Sequence, residues 1–393
     1  MPVFVGVDVA KEAHWVCAID EAARVVLDRA VDNDQAALDA LAADLKRLGP
    51  DVVVALDVTG SIARFLEAVL LAAGLALVHV PGLAVNRAGQ GFAGGERKSD
   101  PRDARTIAEL ARTRPGLRAI RPDDGTTVAI RLKAARRRDL VQDQTRRLSR
   151  LRQLLGGIHP GLERALDVTC LGPLVLLTRF VAPGDIRAAG RRRIVAHLKK
   201  TPHLRHAEGL ADRALAEARA QTTVVPGEAV TADMVRELAR DALEARARIA
   251  RLDRELEALL DRHPDGALIR SLPGMGAVLA AEFVAAAGDL ARFRSPDALA
   301  AAAGLAPVLR QSGRSRAHRR AFGGDRALKR VFFQSAFCAV MTRDPPSRAF
   351  YDRKRREGKH HTQALVALAR RRVTVLWTML RSRAPFEPQR YAA

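Results

Sequence analysis

Across "VFVGVDVAKEAHWVCAI", residues 3–19, Val3, Val5, Val7 and Val9 alternate with Phe4, Gly6 and Asp8. A period of two predicts a strand with a valine face and, on the other side, a face that carries a carboxylate. Further strands are predicted at 14–19 and 24–31. "NDQAALDALAADLKRLG" then reads as a capped helix ending at Gly49, and "DVVVALD" (51–57) as another strand. A helix over Ser61–Ala73 and the strand "LALVHV" (75–80), stopped by Pro81, complete the pattern. Three strands followed by alternating helix and strand is the order of ribonuclease-H-like sheets, in which the first and fourth strands are neighbours.

Periodicity changes further on. "GFAGGERKSDPRDARTIAELAR" (91–112) predicts a glycine-rich loop and then a helix capped by Ser99, with Pro101 tolerated in its first turn and Asp100 and Asp103 three apart on one face. "RLKAARRRDLVQDQTRRLSRLRQLL" (131–155) is helical, with a loose seam through Val141, Leu148, Leu151 and Leu155. Val235, Leu238, Ala242, Ala245, Ile249, Leu252, Leu256 and Leu259 form a heptad seam, which predicts a coiled coil or a long helical hairpin. The Pro- and Gly-interrupted stretch 156–228 yields no clear period. "LIRSLPGMGAVLAAEFVAAAG" resembles a helix-hairpin-helix, in which Gly274 and Gly276 would let backbone amides approach a phosphate; a plain interhelical turn is the alternative. A short capped helix, a loop holding Ser312 and Gly313, and helices at about 325–342 and 360–380 follow, before a tail. The expected fold class is α/β plus α. A ribonuclease-H-like mixed sheet occupies 1–125, a basic helical coiled-coil connector 126–265, a mainly α-helical C-terminal domain 266–382 and a tail 383–393.

The charge adds a partner. Lys and Arg number 66 against 44 Asp and Glu, for a formal net charge of +22, which points to a polyanion. Residues 1–60 hold 11 acids and 5 bases, whereas 305–356 hold 14 bases and 3 acids. Residues 131–155 carry 9 bases and 2 acids, so Arg136, Arg137, Arg138, Arg146 and Arg147 are candidate phosphate contacts. Arg314, Arg316, Arg319, Arg320, Lys329 and Arg330 are further candidates. Aromatic residues make up only 4%, which disfavours stacking platforms for single strands. Three distant cysteines exclude a disulfide framework and a zinc cluster, and fit a reducing cytoplasm. No membrane span and no basic-then-apolar opening segment is evident, so neither anchoring nor secretion is expected.

Asp8, Asp57, Asp100 and Asp103 now form a question of their own. Adjacent first and fourth strands would bring Asp8 and Asp57 together, and the later helix would add Asp100 and Asp103. Crowded carboxylates repel unless cations neutralise them, and ligation by oxygen alone selects Mg²⁺ or Mn²⁺, with two ions suited to phosphodiester cleavage.

"GVDVAK", "ALDVTGS", "RKSDPRDARTIAEL", "LPGMGAVLAAEF" and "LAAAAGLAPVLRQSGRSR", in this order, resemble the transposases of the insertion-sequence-110 family over about 1–112 and 268–342. One departure is visible: Asp57 stands where the family has Glu in a Glu-x-Thr-Gly setting. The resemblance implies a resolvase-like acidic half-site at Asp8, Asp57, Asp100 and Asp103, and a serine nucleophile at Ser312, with Ser315 as the rival. It implies recombination of donor and target DNA guided by a noncoding RNA of the element. Composite sites would draw halves from different subunits of a homodimer that assembles into a tetramer, with the heptad segment as a dimerisation element, in a bacterial, nucleoid-associated protein.

Two other functions use the same residues differently. A Holliday-junction-type structure-selective endonuclease would use the acids with water as nucleophile. A DNA-binding protein with a decayed catalytic domain would bind without metal and without cutting. An actin-like sugar kinase is disfavoured, because "DVAKEA" lacks the Gly and Thr of its phosphate loop.

Overall fold

The computed structural model describes residues 1–90, 99–121, 124–288, 290, 293–313, 315–319, 321 and 323–391. Two compact units divide the chain, Met1–Asp124 and Gly125–Ala393.

The first unit runs β1 (Val3–Asp8), β2 (Ala13–Ile19), β3 (Val25–Asp32), α1 (Gln35–Arg47), β4 (Val52–Leu56), α2 (Arg64–Ala72), β5 (Ala76–His79), α3 (Gly82–Gln90), α4 (Asp100–Thr113) and β6 (Arg118–Ile120). Its six-stranded mixed sheet has the order β3-β2-β1-β4-β5-β6. β1 pairs antiparallel with β2 and parallel with β4, so the first and fourth strands are neighbours, as expected. Asp34 caps α1, its carboxylate accepting from the amide of Ala37 at 2.8 Å, and Lys46 and Arg47 oppose the dipole at the far end. The valine face of β1 packs with Val54, Leu56 and Leu77 against Leu38, Leu41 and Leu45 of α1 and Leu66 and Leu70 of α2. The opposite face lies under α4, where Cys17 and Ile19 meet Ala104 and Ala108. β6 and α3 are elements the period did not predict.

Among its described residues, the second unit is helical except for one hairpin. It comprises α5 (Gly125–Ile158), α6 (Pro160–Ala165), α7 (Leu171–Leu177), α8 (Pro183–Lys199), α9 (Ala207–Ala220), α10 (Glu228–Arg262), α11 (Gly266–Ser271), α12 (Ala277–Ala287), α13 (Pro296–Ala302), β7 (Val308–Ser312), β8 (Ser315–Arg319), α14 (Arg326–Met341), α15 (Pro345–Arg356) and α16 (His361–Ser382). The stretch 156–228, which lacked a clear period, is four short helices. They bury Leu162, Leu176, Ile186, Ile194 and Leu210 in one core with Leu151, Leu155, Val235 and Ala239 of the two long helices. The C-terminal helices build a second core that also takes in Ile130 and Leu256.

The heptad seam is therefore a hairpin within one chain. α10 packs along α5, and Ala242, Ala245, Leu256 and Leu259 are buried there. Among the described residues, no helix is long and apolar enough to cross a membrane.

Candidate functional site

The acidic edge is built by register and one close approach. Gly6 lies directly under α4: a Cβ there would fall 2.0 Å from the carbonyl oxygen of Ala104 and 2.4 Å from the amide of Ala108. Its β4 partner Ala55 packs against Ile107 of the same helix. Two residues further along each strand are Asp8 and Asp57, on the same face by alternation. One turn back along α4 from Ile107 is Asp103.

Asp57 carries the clearest electrostatic signature. Burial raises its pKa above the ordinary carboxylate range; backbone amides, including those of Val9 and Val58, pull it back, and the negative charge of Asp103 raises it again. Its Oδ1 is buried and has no hydrogen-bond partner. The turn after it is held in place: Gly60 (φ +67°) and Ser61 (φ +49°) adopt left-handed backbone, and the Gly60 amide donates to Glu67 Oε1 of α2 at 3.0 Å. His79, at the end of β5, hydrogen-bonds to the Asp57 main chain, while burial and the charge of Arg118 lower its own pKa. Glu67 and His79 escaped the sequence reading, because neither belongs to a motif and only the fold brings Glu67 to the turn after Asp57 and His79 to its main chain.

The structure thus brings Asp57 and Asp103 within electrostatic range and sets Asp8 at the same end of the two central strands. Asp100 is exposed at the start of α4, and Ser99 occupies the cap position without a side-chain capping bond. The expected gathering of all four is not complete: among the described residues, no three His, Cys, Asp or Glu side chains converge as metal ligands. The donor set nevertheless fits a hard divalent cation, being all carboxylate, with one buried oxygen unsatisfied.

The segment holding Ser312 is a hairpin rather than a loop. Ser312 and Ser315 face each other across the last pair of β7 and β8, and both are exposed. Gly313, at φ +55°, fills the first turn position, where the primed turns of two-residue hairpins need a left-handed residue.

The cationic candidates divide. On α5, Arg137 pairs with Asp253 and Arg146 with Asp143, while Arg147 approaches Asp241 at 3.8 Å. Arg136 and Arg138 are exposed, as is Arg316 on β8. Lys329 is half-buried, and Arg330 pairs with the buried Glu282 of α12. Arg314 and Arg320 lie outside the described residues; Arg319 is described in its backbone alone. Gly274 (φ +75°) is explained by packing, since a Cβ would fall 2.6 Å from the Ser335 carbonyl oxygen of α14. A Cβ at Gly276, the residue before α12, would meet open space.

The first unit thus carries carboxylates at the ends of its central strands, and the second an exposed serine hairpin. A family model described as transposase matches residues 5–160, and one described as the IS116/IS110/IS902 family of transposases matches 266–352. The 42 kDa protein of insertion element IS900 from Mycobacterium paratuberculosis is 42% identical, over 98% of each chain. The 44.8 kDa protein of insertion element IS116 from Streptomyces clavuligerus is 40% identical, over 98% of this chain and 96% of that one. A pilin gene-inverting protein of Moraxella bovis is 30% identical over 35% of this chain and 45% of its own. The chain belongs to the IS116/IS110/IS902 family of transposases, enzymes that recombine DNA.

Proposed function

We propose that this transposase cuts and rejoins DNA strands with a divalent-metal acidic site on a ribonuclease-H-like sheet and a serine nucleophile, directed by a structured RNA of its own element. The observation that carries the reading is Asp57: a half-buried carboxylate at the strand end, with one buried oxygen unsatisfied, near the charge of Asp103. Asp8, Asp57, Asp100 and Asp103 would hold Mg²⁺ or Mn²⁺, which when bound supplies charge neutralisation at the phosphate and at the oxygens that attack and leave. Ser312 Oγ attacks the phosphorus, and its proton passes to solvent. The phosphorus–oxygen bond to one deoxyribose breaks, and that oxygen leaves as a hydroxyl, so the phosphoserine ester conserves the bond for rejoining.

Sequence reading would fall to base pairing by the RNA. Exposed Arg136, Arg138 and Arg316 support this, since arginines on an open helix face and a hairpin suit phosphates of any sequence. A dimeric assembly would need faces other than the heptad seam, which is spent within the chain.

The test is incubation with element RNA, donor DNA and target DNA, reading a covalent protein–DNA adduct on a denaturing gel. Wild type should form the adduct with Mg²⁺, whereas Ser312→Ala and Asp57→Ala should not. Adduct in Ser312→Ala that disappears in Ser315→Ala would move the nucleophile. Cutting by Ser312→Ala with no adduct in any variant would replace the reading with a water-using junction endonuclease.

A further inference from the structure

The most basic end of the second unit was not among the cationic candidates. Residues 345–383 hold eleven Lys and Arg against two acids, Asp352 and Glu357. Both acids are engaged locally: Asp352 accepts from Arg348 at 2.9 Å, and Glu357 from Lys354 at 2.8 Å with Lys359 at 3.5 Å.

At the junction of α15 and α16, three of these cations surround one aromatic ring. The Arg371 guanidinium carbon lies 5.0 Å from the Phe350 centroid, that of Arg353 5.2 Å, and Lys354 Nζ 5.5 Å. The ring quadrupole attracts each cation but leaves its charge in place; Lys354 is paired with Glu357, so the repulsion that remains is between Arg353 and Arg371. Burial and the charge of Arg353 both lower the pKa of Arg371. Arg353 is exposed, while Lys354 and Arg371 are half-buried, so the cluster meets solvent through Arg353. The neighbouring cations are otherwise committed: Arg370 pairs with Asp297, and Arg372 is buried among hydroxyls. The neighbouring Asp344 caps α15 through the Ser347 amide.

We propose that Arg353 and Arg371 form a phosphate site over Phe350, beside the Lys354–Glu357 pair, that grips a nucleic-acid backbone. Planar guanidiniums standing on a ring present their N–H edges outward, the geometry that suits phosphate oxygens, and an anion seated there relieves their mutual repulsion. Affinity would come from charge and be independent of base sequence.

The full chain tests this without any cutting. With EDTA present, its affinity for duplex DNA and for single-stranded RNA is measured over a salt series. Arg353→Gln with Arg371→Gln should lower the slope of log K against log salt by about 1.8 on duplex and about 1.4 on single strands, at about 0.9 or 0.7 per phosphate contact. Arg353→Lys should keep the slope. A loss on one polymer alone supports the site and tells which backbone it holds. Unchanged slopes and affinities on both polymers overturn it. Should Arg371→Gln fail to fold, the exposed Arg353→Gln must by itself lower the duplex slope by about 0.9, and an unchanged slope overturns the site equally. None of these readings depends on the nucleophile or on the metal, so they stand or fall apart from the cutting chemistry.

Discussion

Gly6 of β1 lies against the Ala104 carbonyl of α4, so close that a Cβ would fall 2.0 Å from that oxygen. Without a side chain at this point, the helix bearing Asp100 and Asp103 can descend onto the strand bearing Asp8. Gly6→Ala should therefore lift or tilt α4, at a cost of about 1–3 kcal/mol or more. Urea denaturation should show the loss, and metal-dependent cutting should fall further than the stability loss alone explains. A variant of wild-type stability and activity would show that the helix height does not matter.

Asp57 makes a prediction about pH and metal together. Its folded pKa lies above the ordinary carboxylate value, so between the two the folded chain keeps a proton that the unfolded chain has lost. Stability accordingly falls as pH rises through that window, and the penalty is absent below it. Asp57→Asn keeps an oxygen for the Val9 and Val58 amides and removes the charge. In EDTA it should melt above wild type at neutral pH, with the difference vanishing below about pH 4. Mg²⁺ or Mn²⁺ should raise the melting temperature of wild type and leave that of Asp57→Asn unmoved. Equal responses in the two proteins would remove Asp57 from the metal site.

The acidic edge was legible because alternation is local: Val3 to Val9 reveal which way Asp8 points before any partner is known. Adjacency of the first and fourth strands then followed from element order. Less visible were the partners that the fold alone assembles. Glu67 and His79 lie ten and twenty-two positions beyond Asp57, with no pattern linking them to it. The hairpin at Ser312 was read as a loop because β7 and β8 are exposed, so no buried face imposes a period. Similarly, prolines that open α6 and α8 masked a stretch of short helices, since a proline in a first turn looks from sequence like a breaker.

The hairpin turn separates local from global effects. Gly313 at φ +55° tolerates a left-handed backbone that a β-branched residue adopts at about 1–2 kcal/mol. Gly313→Val should reshape the turn that holds Ser312 opposite Ser315 and lower adduct formation. Because Gln311, Ser312 and Arg316 are exposed, the loss of global stability in urea should not exceed that strain, about 1–2 kcal/mol. Full adduct yield would show that the serine acts without a fixed hairpin.

Arg372 is the strongest structural commitment in the C-terminal helices. It is 3% exposed, and burial lowers its pKa to about 10. Its guanidinium donates to Ser335 Oγ at 3.0 Å, to Ser347 Oγ at 3.2 Å and to the Pro273 carbonyl, tying α14, α15 and the turn before α12 to α16. Such a group is costly to bury yet more costly to remove, since deletion strands its partners. Arg372→Ala should lose about 3–5 kcal/mol, a cavity and three unpaired polar groups acting together. Lys has one ammonium group where the guanidinium offers five N–H donors, so Arg372→Lys should recover only part of that. Arg372→Met combined with Ser335→Ala and Ser347→Ala removes the hydroxyls along with the charge and should recover more than Lys does. Urea midpoints for the series measure the order, and a triple variant no better than Arg372→Ala would show that neither the cavity nor the stranded hydroxyls account for the loss, leaving the guanidinium's own hydrogen bonds as its source.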